Sequence, residues 1–352
     1  MIRASWLGER QERLGRRLAL LPLLPAAWAY GAGARLHRGL YRSGLRRKER
    51  LSYRVVSVGN LVVGGAGKTP AAAWIATQLQ RRGYKVVLAS RGYGRRGRGR
   101  VLVVSDGRFV HGRAETAGDE PMVLAAHAPG VPVLVGRDRT LLGWRALSAF
   151  GAEVLVLDDG FQHHRLHRDV DIVVFDGALG FGNRHYLPRG PLREPPRVLR
   201  GAHAVGVIDG PLAEQDAALL ARHAPGAFCF AARRRPAALR PLAGGDRQDP
   251  ALLRGRELGM LCGLARPASL RATLEALGAR VVAERSFPDH HRYRRADLAG
   301  LADEAPLWIT TEKDAVKITP PWAGAADLRV LSIELAVDEA DALLGWLEAY
   351  LR

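Results

Sequence analysis

The segment SVGNLVVGGAGKTP, residues 57–70, constrains the fold more than any other part of the sequence. Its end, Gly67-Lys68-Thr69, matches the second half of the P-loop pattern G-x-x-x-x-G-K-[ST], whereas Val62 stands where that pattern has its first glycine. A strand-like apolar run precedes the loop, and a helix-compatible stretch follows it. Glycines let backbone N–H groups approach phosphate oxygens, and the helix N-terminus adds positive potential. The segment therefore predicts a phosphate-binding loop in an α/β fold.

The polar residues of this loop have expected partners. Lys68 is expected to reach the β- and γ-phosphates of ATP, and the hydroxyl of Thr69 to bind Mg²⁺. The candidate nucleotide-binding residues are Val62, Val63, Gly64, Gly65, Ala66, Gly67, Lys68 and Thr69. A second magnesium ligand usually ends a neighbouring strand, and EVLVLDD ends in Asp158 and Asp159. We expect Asp158 to bind the metal and Asp159 to assist. The alternative is that the two aspartates only cap the following turn.

Short apolar runs alternate with helical stretches from Leu51 onward, which is typical of a mostly parallel sheet. The regularity fails over residues 221–249, where Arg, Pro, Gly and Asp dominate. We therefore predict an α/β protein with three parts: an N-terminal segment (1–48), a P-loop core domain (49–225) and a second, smaller α/β domain (226–352). Helices are expected, among others, over residues 296–302 and at the C-terminus.

The net charge of +18 comes almost entirely from arginine, since only five lysines occur. Such a charge favours nucleic acid, acidic lipid headgroups or phosphorylated substrates, although a general compositional bias explains it equally well. The two cysteines, Cys229 and Cys262, exclude a disulfide scaffold and a Cys-rich zinc site. Both lie in apolar strand-like runs, so we expect both to be buried.

The stretch from Leu18 to Ala34 carries no charge over 17 residues and is followed by a strongly basic run. A signal peptide has this pattern. A spanning helix needs roughly 20 apolar residues, and Pro22 and Pro25 make this stretch short and broken. The third interpretation is a segment in the membrane interface, with its arginines on anionic headgroups.

Several motifs are candidates for the acceptor side of a phosphoryl transfer. Asp119 in GDEP begins a helix and is either a base or an ordinary N-cap. The stretch SFPDHHRY places Asp289 beside His290 and His291, which could enter a cleft between domains. Arginines of SRGYGR and LPRGPLREP suit phosphate groups. In GFQHHRLHRD, a helix would group three histidines as zinc ligands, but a polar wall of the site is the better interpretation.

In this order, VGNLVVGGAGKTP, SRGYGR, GDEP, LDDGFQHH, LPRGPLREP, CGLARP, FPDHH and TEKDAVK resemble the motifs of the tetraacyldisaccharide 4′-kinases, which phosphorylate the lipid A precursor. The resemblance runs from about Val55 to Lys317. That family's own loop also lacks the first P-loop glycine. The resemblance implies a P-loop α/β core, a second α/β domain and an N-terminal membrane-associated helix.

The resemblance also implies roles for individual residues. Gly64 to Thr69 bind ATP and Mg²⁺, and the acidic pair of the family falls on Asp158 and Asp159. Asp119 takes the proton of the sugar 4′-hydroxyl, while His290 orients it or relays the proton. The expected catalytic residues are thus Asp119, His290 and Asp159, with Thr69 and Asp158 as metal ligands. The expected substrate-binding residues are Arg91, Gln162, His163, Arg189 and Arg193.

These expectations define an ATP- and Mg²⁺-dependent lipid kinase acting on tetraacyldisaccharide 1-phosphate at the cytoplasmic face of the inner membrane. The stretch from Leu18 to Ala34 then becomes a retained anchor, and no nucleic-acid partner is expected. The oligomeric state does not follow from the sequence. The rival hypothesis is a membrane-associated P-loop ATPase that acts as a switch and binds nucleic acid through its arginines.

Overall fold

The computed structural model describes Glu12, residues 14–95, Gly97 and residues 99–352. Its strands are β1 (Arg54–Gly59), β2 (Val86–Ser90), β3 (Leu102–Ser105), β4 (Val133–Val135), β5 (Val154–Asp158), β6 (Val170–Asp176), β7 (Ala204–Ile208), β8 (Phe228–Pro241), β9 (Glu257–Cys262), β10 (Arg280–Ser286), β11 (Trp308–Thr311) and β12 (Leu328–Val337). In the described residues they form one sheet, in the order β10-β9-β11-β12-β8-β7-β6-β1-β5-β2-β4-β3. Neighbouring strands run parallel except in the pairs β3–β4 and β8–β12.

The helices lie on both faces of this sheet or at its ends. They are α1 (Leu14–Ala19), α2 (Leu24–Arg42), α3 (Lys68–Arg81), α4 (Ala114–Ala117), α5 (Asp119–His127), α6 (Arg139–Phe150), α7 (Glu214–His223), α8 (Pro267–Ala276), α9 (Leu301–Glu304), α10 (Glu312–Ala315) and α11 (Ala340–Leu351). Short 3₁₀ helices occur at Leu21–Leu23, Pro196–Gly201, Pro250–Leu253, Arg295–Leu298 and Pro320–Ala323.

The central strands are apolar along their whole length because helices cover both faces of a parallel sheet. Every residue of β5 and β6 is buried. Strand β1 lies between them, with Val58 opposite Asp158 in the register. The carboxyl ends of parallel strands share one edge of the sheet, so the loop after β1 and the two aspartates at the end of β5 lie side by side. The expected mostly parallel α/β fold is confirmed.

Two local expectations from the sequence are wrong. The helix expected over residues 296–302 is divided into a 3₁₀ turn and α9, because Gly300 adopts a left-handed backbone (φ 76°) between them. The three histidines of GFQHHRLHRD lie outside any helix or strand, so the alternative of a helical zinc-binding face, already the weaker interpretation, does not apply. Cys229 is exposed on β8, because its side chain points to the open side of that strand, whereas Cys262 is buried as expected.

The two halves of the chain share the sheet through β8, a strand of 14 residues. It runs parallel to β7 on one side and antiparallel to β12 on the other. The last helix, α11, returns to the first half, where Leu343 and Leu347 join the hydrophobic core beneath β1 and α3. The boundary between residues 225 and 226 stays a prediction.

The N-terminal helix α2 is fastened to the loop that carries LPRGPLREP. A Cβ on Gly31 would lie 2.6 Å from the ring of Tyr186, so the helix and the loop are in close contact at this glycine. Further along, Arg38 Nη1 donates to Glu194 Oε2 at 2.8 Å. In the described part of the chain, no helix is long and apolar enough to cross a membrane. Residues 1–11 and 13 of the expected N-terminal segment lie outside the described residues.

Candidate active site

The loop after β1 has the backbone that a phosphate-binding loop requires. Gly64 and Gly67 have φ angles of 117° and 80°, in the region that favours glycine. Gly67 is restricted a second time, because a Cβ there would lie 2.6 Å from Cδ1 of Ile208. Helix α3 begins at the next residue, Lys68, so its free N–H groups face the loop. The loop and the helix start together form a site for an anion.

Val62 replaces the first P-loop glycine because the entry to this loop is part of the hydrophobic core. Its side chain is 1% exposed and packs in a cluster with Phe161 and Leu192. The backbone after Val62 is also fixed by a hydrogen bond, because Val63 N donates to Pro191 O at 2.9 Å. The structure thus places the Val62 side chain away from the mouth of the loop, while Val63 is partly exposed.

Asp159 forms ion pairs with two cationic side chains of the site. It accepts two hydrogen bonds from Arg193, at 2.6 and 3.1 Å, and lies 3.8 Å from Lys68 Nζ. Burial acts to raise the pKa of Asp159, but the charges of Lys68 and Arg193 outweigh it and lower this pKa to about 2. Asp159 is therefore ionised at neutral pH and pairs with the P-loop lysine.

Asp158 is the opposite case, a buried carboxyl that forms no ion pair among the described residues, although Lys68 and Arg139 act on it through their charges. The Thr69 hydroxyl donates to its Oδ2 at 3.4 Å, while Oδ1 has no hydrogen-bond partner among the described residues. Burial, and then the negative charges of Glu120 and Asp159, raise the pKa of Asp158 to about 7. A buried carboxylate oxygen without a partner, beside a threonine hydroxyl, suits a hard divalent cation. The donor set fits magnesium.

The structure brings Asp119 and His290 together, although 171 residues separate them. Asp119 is the first residue of α5, and His290 lies in the loop after β10 with a φ of 60°. His290 Nδ1 lies 2.8 Å from Asp119 Oδ2. This hydrogen bond raises the pKa of His290. Burial acts to raise the pKa of Asp119, but the bond from His290 and nearby lysines outweigh it and keep this pKa low. Asp119 is thus ionised at neutral pH.

Both members of this pair open onto a cavity of about 250 Å³. Its lining combines aromatic rings with charged groups, an arrangement that suits a sugar carrying anionic substituents. The residues concerned are Tyr93, Gly94, Ala114, Glu115, Gly118, Asp119, His290, Arg292, Tyr293, Lys317 and Trp322. We call this space the acceptor cavity.

A second cavity, of about 370 Å³, lies between α2 and the nucleotide site. Tyr30 and His37 of the helix face Gln162 and Arg193 across it. Gln162 Nε2 also donates to Asn60 O at 2.8 Å, and Arg193 joins this cavity to Asp159. We call this space the helix cavity. Two expected substrate-binding residues, Gln162 and Arg193, therefore lie in one wall.

The other expected substrate residues are placed differently. Arg91 is exposed, and its charge acts on the buried Arg139. His163 has no partner for Nε2 among the described residues, and burial lowers its pKa to about 4, so it is neutral. Arg189 is 2% exposed and donates two hydrogen bonds to Glu12. Of the five expected residues, only Gln162 and Arg193 therefore line one of the two cavities.

Sequence reasoning missed several charged residues near the site. Arg234 Nη1 donates to Gly65 O at 3.3 Å, and both Arg234 and Arg266 bind Asp176. Lys313 and Lys317 approach the Asp119–His290 pair. Arg266 lies in CGLARP, and the two lysines lie in TEKDAVK. Both motifs were recognised in the sequence, but the residues that these side chains contact were not. Only the fold reveals these partners.

A phosphate loop between strand and helix, a strand-end aspartate beside its threonine, and a carboxylate–histidine pair in a neighbouring cavity define this protein as a P-loop phosphotransferase. The family model described as tetraacyldisaccharide-1-P 4′-kinase matches residues 19–352. The chain belongs to that family.

Individual relatives agree with this assignment. The chain is 48% identical to the tetraacyldisaccharide 4′-kinase of Anaeromyxobacter dehalogenans strain 2CP-C, over 95% of this chain and 90% of the relative. It is 42% identical to the enzyme of the same name from Syntrophus aciditrophicus, over 88% and 87% of the two chains. A crystal structure of LpxK from Aquifex aeolicus in complex with ATP is 30% identical, with a TM-score of 0.77 over 95% of this chain and 100% of that one.

The prediction of a lipid kinase of this family, made from the order of the motifs, is confirmed. The rival hypothesis of a nucleic-acid-binding ATPase switch finds no support among these relatives.

Proposed function

We propose that this chain transfers the γ-phosphoryl group of ATP to the 4′-hydroxyl of a tetraacyldisaccharide 1-phosphate at the cytoplasmic face of the inner membrane. The observation that carries this proposal is the Asp119–His290 hydrogen bond of 2.8 Å, which faces the acceptor cavity. A carboxylate held by a histidine is suited to orient a hydroxyl nucleophile and accept its proton.

On the nucleotide side, Lys68 and the N–H groups of Gly64 to Lys68 bind the phosphates. Lys68 exchanges its contact with Asp159 for the β- and γ-phosphate oxygens when ATP enters. Arg193 keeps Asp159 ionised and in place during this exchange, because it donates two hydrogen bonds to that carboxylate. The nucleotide site therefore keeps its charges balanced both with and without ATP.

Thr69 and Asp158 are the residues that would hold Mg²⁺. The free Oδ1 of Asp158 and the nearby Thr69 hydroxyl support this assignment. The ion would neutralise negative charge that develops on the phosphate oxygens. Because burial and neighbouring charges favour the protonated form of Asp158, this carboxyl would have to be deprotonated to serve as a ligand.

On the acceptor side, Asp119 is ionised and needs no activation. Its Oδ1 accepts from Glu120 N at 3.0 Å and its Oδ2 from His290. Phosphoryl transfer has a loose transition state, so correct placement of the hydroxyl matters more than a strong base. The low pKa of Asp119 is compatible with this task.

The lipid part of the substrate approaches from the membrane side, where α1, the 3₁₀ helix after it and α2 expose large apolar residues: Leu14, Leu18, Leu21, Trp28, Tyr30 and Leu36. Such residues enter the headgroup region of a bilayer, and the arginines that follow favour anionic lipid. We propose that this segment binds the membrane surface and places the disaccharide at the two cavities. The helix cavity, with Gln162 and Arg193, is the proposed site for part of the sugar backbone.

The test is transfer of ³²P from ATP to purified tetraacyldisaccharide 1-phosphate in mixed micelles. Wild type and Lys85→Met, a change at an exposed lysine, are expected to be active. Asp119→Ala is expected to lose about 10²–10⁴-fold in kcat, and His290→Ala to be impaired as well, with the KM for ATP little changed. Undiminished transfer in both variants would refute the proposed pair.

A further inference from the structure

The segment TEKDAVK, residues 311–317, has no part in the proposed function so far, yet it is fixed firmly beside the Asp119–His290 pair. Strand β11 ends at Thr311, whose Oγ1 caps α10 by accepting from Asp314 N at 3.2 Å. Asp314 is fully buried and accepts from Gly263 N at 3.0 Å and from Lys317 Nζ at 2.9 Å. The segment therefore presents its lysines from a rigid base.

Lys313 reaches the ring nitrogen of His290 that faces away from Asp119. Its Nζ donates to Asp289 Oδ1 at 2.6 Å and lies 3.5 Å from His290 Nε2. An ammonium group donates hydrogen bonds and accepts none. A bond between these two nitrogens therefore requires a lone pair on Nε2, and the proton of a neutral His290 then lies on Nδ1, where Asp119 accepts it.

Other charged groups also surround His290. Asp289 binds Lys313 through Oδ1, while its Oδ2 lies 3.8 Å from His290 Nε2 and favours the protonated ring. Lys317 Nζ lies 3.9 Å from Asp119 Oδ2, on the other member of the pair. Glu115 and Arg292 line the same cavity, and Glu120 acts on Lys313 through its charge.

Uncharged groups complete the surroundings of the imidazole. The rings of Tyr93 and His290 have centroids 5.7 Å apart, and Tyr293 belongs to the cavity wall. Lys313 is the cation nearest to Nε2 among these contacts of the described residues. The hydrogen bond with Asp119 is the largest effect and raises the pKa of His290, whereas burial and the charge of Lys313 act in the opposite direction.

We propose that Lys313 is a positioning residue that keeps the Nδ1–H of His290 directed at Asp119 and opposes a proton on Nε2, so that His290 orients Asp119 and does not relay its proton. This inference rests on the proposed function. In the transfer step, Asp119 takes the proton of the 4′-hydroxyl, the sugar oxygen bonds to the γ-phosphorus, and the bond from that phosphorus to ADP breaks. The proton then leaves Asp119 to water through the acceptor cavity, since Nε2 is closed by Lys313.

The direct test is ¹⁵N NMR of the histidine-labelled full-length protein, with the His290 signals assigned by their loss in His290→Gln. Above the raised pKa of His290, where the ring is neutral, the wild type is expected to show a protonated Nδ1 and a bare Nε2. In Lys313→Met the doubly protonated form is expected to increase, because the opposing charge is gone. Lys313→Arg keeps the charge and Lys85→Met removes a distant one, so both are expected to resemble the wild type.

The pH dependence of activity provides a second measurement, because loss of a merely structural residue would not shift it. In Lys313→Met we expect kcat near neutral pH to fall about tenfold, as is usual when a partner that orients an active-site group is lost. The acid limb of kcat/KM is expected to move to higher pH, and Lys313→Arg to restore it. A bare Nδ1 in the wild type, or an unmoved limb and unchanged ¹⁵N signals in Lys313→Met, would overturn the inference. Retained transfer in Asp119→Ala would instead overturn the proposed function.

Discussion

Asp158 and Asp159 are adjacent in sequence, yet their surroundings drive their pKa values apart. Arg193 and Lys68 hold Asp159 as a carboxylate, whereas Asp158 is fully buried with one oxygen free of hydrogen bonds among the described residues. Two carboxylates with divergent pKa values are typical of sites where each has its own task. Here one balances the lysine and arginine, and the other is available to a metal.

The raised pKa of Asp158 makes the stability of the nucleotide-free protein depend on pH. Its carboxyl ionises around its ordinary pKa of 3.8 in the unfolded chain but only around 7 in the folded protein. The folded state therefore holds the extra proton between these values, and stability falls as pH rises through this window. We expect Asp158→Asn to raise the melting temperature at pH 8 and to raise it less at pH 5. Thermal unfolding without nucleotide or metal measures this, and equal differences at both pH values would contradict it.

Gly67 is constrained both by its positive φ angle and by the close approach of Ile208. Gly44 has only the first constraint and therefore separates the two effects. Gly44 has the same φ of 80°, but a Cβ there meets nothing within 4 Å. Gly44→Ala is expected to cost about 1–2 kcal/mol, the strain of a left-handed backbone. Gly67→Ala should cost more and also abolish ATP binding, because Ile208 blocks the added methyl group. Urea unfolding and nucleotide titration test this, and similar losses in the two variants would be the contrary result.

At the scale of elements, helix α2 has one face that is buried against the protein and another that is exposed. Ala27 and Gly31 are buried against the core, while Trp28 and Leu36 are 65% and 66% exposed. The helix is held by Arg38, which binds the buried Glu194 and also lies over the ring of Phe161. The exposed face of α2 is therefore available for the proposed membrane contact while the helix stays attached to the catalytic half.

This arrangement predicts that apolar residues of α2 carry membrane affinity. The double variant Trp28→Glu/Leu36→Glu is expected to lose vesicle binding at least about tenfold, because both apolar contact and attraction to anionic lipid are reduced. Trp144→Glu, on the core helix α6, is a control of similar exposure that should bind normally. Flotation with vesicles containing anionic lipid measures binding, and deletion of residues 1–48 should release much of the protein. Normal flotation of the double variant would exclude this role for the two residues.

Sequence patterns predicted elements better than they predicted contacts. The apolar runs that form β1 and β5 are visible in the sequence because each leads directly into a polar motif, the glycine loop and the aspartate pair. The helix expected over 296–302 failed at Gly300, whose backbone angle is not encoded by periodicity. In the site, the P-loop and Asp158 followed from local patterns. The contact between Asp119 and His290 followed only from family resemblance, since spacing carries no information over 171 residues.

At the scale of the whole molecule, the two halves form one continuous sheet, and their contacts converge on the site. Across the junction, His290 meets Asp119, Arg266 meets Asp176, and Glu312 meets His127 at 2.6 Å. Each pair has one member in the P-loop half and one in the second half. The geometry of the acceptor cavity therefore depends on how the halves fit together.

Helix α11 is synthesised after the P-loop half but forms part of its core, so the P-loop half cannot finish folding before α11 is made. Its Leu343, Leu347 and Leu351 fill the core beneath the P-loop helix, and Arg82 of the first half binds Asp341 and Glu348. A nascent chain that already carries the loop, Asp158 and Asp119 still exposes the surface that the last helix covers. The nucleotide-binding half is thus completed only when the final turn leaves the ribosome, and its apolar surface needs protection from aggregation until then.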